Sequence, residues 1–159
     1  MESCGPIEPT TVRSLRHDEL SCVKFVNRTG RKASVYWFDY SGKLVRYDVL
    51  CPKTTLHMNT FMTHPWCAKD DDTNDTLLID KKKIYLPTPD TKVDEHGDAL
   101  YGKVIYIDIP VYNLVERCEQ IIRQFLPDIN ISSLEIPTTL KTSLGKDRRV
   151  EFRVYKENN

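Results

Sequence analysis

The sequence lacks an excess of charge of either sign. Its 159 residues include 23 lysines and arginines against 23 aspartates and glutamates, so the formal net charge is zero. A protein that binds nucleic acid holds the phosphate backbone with a basic surface, which this composition does not supply. We therefore expect no nucleic acid among its partners.

Long apolar runs are missing as well. No run approaches the roughly 20 residues that span a bilayer, and the N-terminal stretch MESCGPIEPTTVRS lacks the apolar centre of a signal peptide. The five cysteines are odd in number and form no CxxC pair, which is typical of free thiols in a reducing compartment. We expect no membrane association and a location in the cytoplasm and nucleus.

Recognisable metal-binding and catalytic strings are also absent. The residues nearest to a zinc-binding set are Cys51, His57, His64 and Cys67. Their spacings match no compact zinc module. The acidic run from Asp70 resembles the start of a calcium loop, but Asp75 replaces the required glycine and Lys81 replaces the required glutamate. We expect no metal, no cofactor and no enzyme activity, with a small metal-dependent hydrolase or oxygenase as the weaker alternative.

What the sequence does contain, between residues 12 and 109, is strand-like segments that alternate with turns. The segments are residues 23–27, 33–39, 43–50, 54–63, 76–79, 83–86 and 103–109. About seven strands at spacings of roughly 8–15 residues are typical of a sandwich of antiparallel sheets. The sequence therefore predicts a mainly β protein built on an antiparallel β-sandwich.

The pattern changes to a helical period after residue 109, in PVYNLVERCEQIIRQFL. The apolar positions are Val111, Leu114, Val115, Cys118, Ile121, Ile122, Phe125 and Leu126. This spacing predicts an amphipathic helix that starts at Pro110 and ends before Pro127. Such a wide stripe either closes the chain's own core or binds a partner. The small amount of other helical sequence favours a partner.

The string IPVYNLVERCEQIIR, residues 109–123, resembles the elongin-binding box of the von Hippel–Lindau tumour suppressor family. In that box a leucine, a cysteine and a small aliphatic residue follow one another at intervals of four, and here these are Leu114, Cys118 and Ile122. Intervals of four keep the three side chains on one helix face.

Two further stretches carry the same resemblance. VNRTGRKASVYWFDYSGKLVRY resembles the first strands and hairpin of the family, and LHMNTFMTHPWCAKD resembles its ligand-binding strand and loop. The resemblance covers residues 12–70 and resumes across residues 104–136. The chain is identified as a diverged, invertebrate-like member of the family.

The resemblance implies a non-catalytic substrate-recognition subunit of a cullin–RING E3 ubiquitin ligase. Its ligand would be the prolyl-hydroxylated α subunit of the hypoxia-inducible factor, which is then ubiquitinated and degraded by the proteasome. Elongin C, together with elongin B, would link it to the cullin–RING module. The alternative is a β-sandwich protein-interaction module that recruits no ligase.

The resemblance also implies which residues bind the hydroxylated peptide. They are Trp37, Tyr47, Met58, Asn59, Thr60, Phe61, His64 and Trp66. Aromatic walls suit the apolar ring of hydroxyproline, and Thr60 and His64 would bond its hydroxyl. Read without the resemblance, both tryptophans are ordinary sandwich core and His64 is a structural histidine.

This chain departs from the family at several of these positions. Thr60 stands in place of a serine, Phe61 of a tyrosine and Asn59 of a histidine. Asp48 replaces the proline that follows Tyr47, so we expect a different preference for peptide sequence.

For the helical part the resemblance implies elongin C contacts at Leu114, Arg117, Cys118, Ile121 and Ile122. Leu134, Ile136 and Pro137 resemble the core of a cullin box, although a turn after a short helix explains them equally well. Cys118, read alone, is a core residue.

These assignments divide the chain into four parts. We expect a flexible tail over residues 1–11, a substrate-binding β-sandwich over 12–110 and a short helical elongin-binding domain over 111–140. Residues 141–159 form a C-terminal segment whose alternating pattern predicts a return to the β domain.

Overall fold

The computed structural model describes residues 11–89, 96, 102–125 and 130–145. The expected N-terminal tail, the expected helix end at Leu126 and the expected return of the C-terminal segment lie outside these residues, apart from Thr11 and residues 141–145.

Within the described residues the chain forms seven strands. They are β1 (Leu20–Asn27), β2 (Ala33–Phe38), β3 (Leu44–Leu50), β4 (Thr55–Phe61), β5 (Trp66–Asp70), β6 (Thr76–Ile79) and β7 (Lys103–Asp108). Their order in the sheet is β3-β2-β5-β6-β7-β1-β4. The helical part consists of α1 (Leu114–Phe125), a 3₁₀ turn (Ile131–Ser133) and α2 (Thr138–Gly145). The predicted fold, mainly β with a small α part, is confirmed.

One pairing differs from the predicted antiparallel arrangement. β1 pairs with β7 in parallel, with Phe25 opposite Ile105, whereas its other neighbour, β4, is antiparallel to it. A parallel pair needs a long connection between its strands, and β1 and β7 are separated by most of the β domain. Strand patterns report which face is buried but not which strand lies alongside.

Two strand assignments need correction. β5 was not predicted, although Cys67 and Ala68 at its centre are fully buried. The predicted strand over residues 83–86 is not a strand. Within it, Tyr85 forms an isolated bridge to Trp66, with N–H and C=O groups bonded reciprocally at 2.8 Å. Residues 83–86 therefore contribute a single bridged residue, Tyr85, and not a full strand.

The core lies between the inward faces of these strands and holds Phe25, Val35, Leu77, Ile79 and Ile105 among others. On β4 the side chains alternate as in a half-buried strand, because Met58 and Thr60 are buried while His57 and Asn59 are exposed. β3 and β4 lie at the two ends of the sheet order, and the candidate site forms where both approach β5.

The first helix starts four residues later than predicted. The side-chain oxygen of Asn113 accepts a bond from the N–H of Glu116 at 2.9 Å, and the Glu116 carboxylate accepts one from the N–H of Asn113 at 2.8 Å. This reciprocal pair is a capping box, which fixes the helix start at Leu114. Pro110 therefore belongs to the connection from β7 and not to the first turn.

The second helix crosses an expected domain boundary. α2 runs through Gly145, so the division expected at residue 140 falls inside a helix. None of the helices in the described part of the chain has the length and apolar character to cross a bilayer.

Candidate functional site

Two tryptophans on neighbouring strands form the centre of the site. Trp37 on β2 lies directly opposite Trp66 on β5. Residues directly opposite in an antiparallel pair project to the same face of the sheet, so the two indoles share one face. Trp66 is buried, at 3% exposed, and Trp37 is partly buried against the same core.

Residues from β3 and β4, at opposite ends of the sheet order, both reach Trp66. From β4, Thr60 accepts a hydrogen bond from the indole Nε1–H at 3.0 Å. From β3, the ring of Tyr47 meets the indole edge-on, with centroids 5.4 Å apart. Tyr47 is 53% exposed, whereas Thr60 is buried, so the phenol lies on the solvent side of the indole.

An irregularity in the β2–β3 register explains the position of Tyr47. Val35 pairs with Asp48, but the next residue, Tyr36, pairs with Arg46. Tyr47 is therefore the extra residue of a β-bulge, a device that redirects a side chain. In a regular strand Arg46 and Asp48 would lie on one face and Tyr47 on the other.

His64 lies in the connection between β4 and β5, packed among aromatic rings. Its imidazole stacks on Trp37 with centroids 5.4 Å apart and 19° between the planes, and it tilts against Phe61 at 5.1 Å. The turn is set by the N–H of His64, which donates to the carbonyl of Phe61 at 3.0 Å. Thr63 holds the same turn to the main chain of Arg16 by two further bonds.

Burial lowers the pKa of His64 below its ordinary value of 6.5. The charge of His17 acts in the same direction, and a hydrogen bond to the main chain of Arg16 acts against both. The imidazole is consequently neutral at pH 7. A neutral imidazole has one donor and one acceptor nitrogen, which suits it to bond a hydroxyl group.

Tyr40 is a site residue that the sequence interpretation missed. Its hydroxyl lies 3.2 Å from Nε2 of His64, and its ring stands perpendicular to the imidazole. The sequence pattern assigned Tyr40 only to the β2–β3 turn. That turn is held by the Asp39 carboxylate, which accepts from the N–H groups of Ser41 and Lys43, and by Gly42 at φ +84°. A turn residue that contacts a distant loop leaves no periodic signal in the sequence.

Six of the eight predicted peptide-binding side chains meet at this site: Trp37, Tyr47, Thr60, Phe61, His64 and Trp66. The other two point elsewhere. Met58 is part of the buried core, and Asn59 lies on the outward face of β4, where its oxygen accepts from the thiol of Cys22 at 2.8 Å. A peptide beside β4 would meet these two residues through their main chain, and their role stays a prediction.

No three histidine, cysteine, aspartate or glutamate side chains within the described ranges are grouped as metal ligands. The carboxylate of Asp70 instead builds its own turn, since it accepts from the N–H groups of Asp72 and Thr73 and pairs with Arg31 at 3.0 Å. The four cysteines that the structure describes form no disulfide.

Helix α1 presents a second surface, on which apolar side chains are exposed while polar side chains of the same helix are buried. Its buried residues are Glu119 and Gln120, whereas Leu114 is 78% and Phe125 71% exposed. Val115, Cys118 and Ile121 are exposed between them. We call the set Leu114, Val115, Cys118, Ile121 and Phe125 the apolar stripe. A contiguous exposed apolar patch is typical of an interaction surface.

The predicted elongin-binding residues divide into two groups. Leu114, Cys118 and Ile121 belong to the apolar stripe, and Ile122 is half-buried at its side. Arg117 turns the other way, donates to the Gln120 side chain at 3.0 Å and lines a cavity of about 280 Å³ with Arg31.

Polar contacts hold α1 to its surroundings. The Tyr112 hydroxyl donates to the carbonyl of Thr76 at 3.2 Å, and burial raises the pKa of this phenol. Arg123 donates to the carbonyl of Ser143 on α2 at 3.1 Å and pairs with Glu119 at 3.6 Å. A cavity of about 390 Å³ lies beside Tyr112 and Gln120. The junction between α1 and the sheet is therefore polar and loosely filled.

The predicted cullin-box residues lie at the start of α2. Leu134 and Ile136 are half-buried, and the carbonyl of Pro137 accepts bonds from the N–H groups of Leu140 and Lys141. This geometry serves a helix start and leaves the cullin-box assignment a prediction.

Comparison with known proteins agrees with the fold. The family described as the VHL beta domain matches residues 12–93, which is more than half of the chain. Protein Vhl of Drosophila melanogaster is 28% identical over 138 residues, covering 77% of this chain and 74% of the relative. The chain belongs to the VHL family.

Proposed function

We propose that the protein is a substrate-recognition subunit of a cullin–RING ubiquitin ligase. It binds the prolyl-hydroxylated α subunit of the hypoxia-inducible factor and recruits elongin C with elongin B, acts in the cytoplasm and nucleus, and performs no catalysis itself. Family membership supports the general role. The observation that carries the proposal is the inverted helix α1, whose apolar residues face solvent while Glu119 and Gln120 are buried.

The apolar stripe has the properties of a helix that binds in a partner's groove. Leu114 and Val115 lie four and three residues before Cys118, and Ile121 and Phe125 follow at intervals of three and four, so the members form one continuous ridge. Burying Leu114 and Phe125 in a partner contributes about 1.5–3 kcal/mol for each side chain. The opposite face is already occupied, because Arg123 donates to the carbonyl of Ser143 on α2 and both Glu119 and Gln120 are buried. Elongin C is the partner that family membership indicates.

The tryptophan site has the properties needed to recognise hydroxyproline. The rings of Trp37 and Tyr47 supply rigid apolar walls for a pyrrolidine ring, with Trp66 as the floor. Thr60 accepts from Trp66, which leaves its own hydroxyl proton for a ligand, and neutral His64 stands on the Trp37 side. An unmodified proline would leave the buried Thr60 hydroxyl proton without an acceptor, at a cost of about 1–3 kcal/mol.

A pull-down that tests both surfaces together decides the proposal. Two immobilised peptides with one prolyl-containing sequence, differing in a trans-4-hydroxyl, are incubated with the protein and elongin B/C. We expect the hydroxylated peptide to retain the protein together with elongin C, and the unmodified peptide to retain neither. Equal capture by both peptides would refute the hydroxyproline site.

The elongin arm has its own matched variants. Cys118→Asp places a charge in the middle of the apolar stripe and should abolish elongin C capture without affecting peptide capture. Cys51→Asp introduces the same change at an exposed cysteine outside both surfaces and serves as the control. Elongin C capture that survives Cys118→Asp would place the elongin C interface outside the apolar stripe. A wild type that captures no elongin C would leave a peptide-binding module without ligase recruitment as the better description.

A further inference from the structure

The hydroxyl of Tyr40 occupies a position that a ligand hydroxyl would also need. It lies 3.2 Å from Nε2 of His64, while its ring stands edge-on to both the imidazole, at 5.6 Å, and Trp37, at 6.3 Å. Tyr40 is 46% exposed and His64 is buried, so the phenol lies between the imidazole and solvent.

The hydrogen-bond roles at His64 follow from its two partners. A ring N–H that donates to the main-chain carbonyl of Arg16 would raise the pKa of His64 in the way that its contact with Arg16 does. A neutral imidazole then has one bare nitrogen. In that tautomer the Tyr40 hydroxyl, 3.2 Å away, is the donor to Nε2 and holds the acceptor nitrogen.

We propose that Tyr40 determines how strictly the site distinguishes hydroxyproline from proline, because its hydroxyl holds the acceptor nitrogen of His64 until a ligand hydroxyl replaces it. The inference rests on the proposed function. When an unmodified proline binds, Tyr40 keeps its bond, so His64 stays satisfied and the penalty falls on Thr60 alone. When hydroxyproline binds, its hydroxyl replaces that of Tyr40 at His64. Binding therefore gains only the difference in free energy between these two hydrogen bonds. Tyr40 thus weakens discrimination.

The variant Tyr40→Phe tests this, since it keeps the ring and removes the hydroxyl. Affinities for the hydroxylated and unmodified peptides are measured by calorimetry on the full chain bound to elongin B/C. We expect the ratio of the two affinities to rise about threefold to tenfold over the wild type, because the unmodified proline then leaves the His64 nitrogen unpaired whereas the hydroxylated peptide bonds it. Tyr106→Phe removes a hydroxyl from an exposed tyrosine on β7 and should leave the ratio unchanged.

Nitrogen-15 spectra of the histidine rings give an independent readout. His64 signals are assigned by their loss in His64→Gln. In the wild type the Nε2 resonance should show a bonded acceptor, and in Tyr40→Phe it should move toward that of a bare nitrogen. A shift that stays the same in the variant would contradict the assigned bond.

The outcomes separate the two proposals. If the wild type distinguishes the peptides and Tyr40→Phe leaves the ratio unchanged or lowers it, the Tyr40 inference fails and the proposed function stands. If the wild type does not distinguish them but the variant does, the inference is supported. If neither distinguishes them, both proposals fail.

Discussion

At the scale of single residues, the bond between Trp66 and Thr60 orients the threonine hydroxyl in the proposed hydroxyproline site. Thr60 is buried on β4, and it accepts from the indole at 3.0 Å. Because the indole N–H is a donor only, the threonine oxygen has to accept and its proton is directed elsewhere. The orientation of the hydroxyl is therefore fixed before any ligand arrives.

This geometry predicts opposite results for two substitutions of Thr60. Thr60→Val has nearly the same shape but no acceptor for Trp66 and no donor for the ligand, so affinity for the hydroxylated peptide should fall about tenfold to hundredfold. Thr60→Ser keeps the hydroxyl and should stay within about threefold of the wild type. Calorimetry with both peptides checks this, and an equal loss in the two variants would show that only shape matters.

His64 predicts a pH dependence with a definite sign. Its pKa is lowered in the folded protein from the ordinary 6.5, chiefly by burial, so the unfolded chain takes up the proton first as the pH falls. The associated stability is complete above about pH 6.5 and is lost as the pH drops toward the lower folded value. Hydroxylated-peptide affinity should follow, because a protonated imidazole has no acceptor.

Urea unfolding and peptide titrations between about pH 5 and 8 measure this dependence. His64→Gln should flatten the acid limb of both curves. His57→Gln changes an exposed histidine on β4 and should leave it in place. An acid limb that survives His64→Gln would assign the titration to another group.

The hydrogen bonds of Asn27 predict that replacing this residue strongly destabilises the fold, although Asn27 belongs to neither of the two proposed binding surfaces. Its fully buried amide donates to the carbonyls of Arg31, Leu50 and Cys51, and its oxygen accepts from Thr29. Asn27→Ala leaves several of these groups without partners, so the free energy of unfolding should fall by about 2–4 kcal/mol. Asn59→Ala, on an exposed side chain, should cost less than about 1 kcal/mol. Urea unfolding of both variants distinguishes them.

At the scale of elements, the start of α1 depends on the capping box of Asn113 and Glu116. Asn113→Ala removes the acceptor for the Glu116 N–H and should destabilise the first turn by about 1 kcal/mol. Leu114 lies in that turn, so elongin C affinity should fall about fivefold. Asn113→Ser keeps a capping oxygen and should behave as the wild type. Hydrogen exchange of the α1 amides and elongin C titration measure the two effects.

Elements with one buried face could be predicted from the sequence, and elements without such a pattern could not. The alternation on β4 and the stripe on α1 are periodic in the sequence. The sequence therefore indicates both the type of element and which of its faces is exposed. β5 is buried on both faces, including the charged Lys69 and Asp70, and its sequence therefore resembles no half-buried strand. The β-bulge at Tyr47 and the contact from Tyr40 to His64 depend on residues distant in sequence.

At the scale of the whole molecule, the polar junction separates the two proposed surfaces. The proposed peptide site lies among β2–β5, while the apolar stripe lies on α1. Just before α1, Tyr112 bonds the carbonyl of Thr76 on β6, and a cavity of about 390 Å³ lies between Thr76 and Gln120. Polar, loosely filled contacts transmit little packing strain compared with a dense apolar core. Changes on the stripe should therefore leave the peptide site intact.

This separation predicts the behaviour of a stripe variant of the isolated chain. Without elongin C the exposed apolar stripe promotes association between copies, so the wild type should aggregate at low concentration. Leu114→Lys with Phe125→Lys removes two of its most exposed members and should raise solubility, abolish elongin C binding and keep hydroxylated-peptide affinity within about twofold of the wild type.

The control carries the same charge change on other exposed apolar residues, Leu86→Lys with Val104→Lys. If net charge alone governs solubility, both double variants will become soluble to the same extent. If the stripe governs it, only the α1 variant will, because the control leaves the ridge of Leu114, Cys118 and Phe125 in water. Light scattering, elongin C titration and peptide calorimetry on one preparation of each variant separate these cases. A stripe variant that lost peptide binding while remaining folded would show that α1 and the peptide site are coupled through the junction.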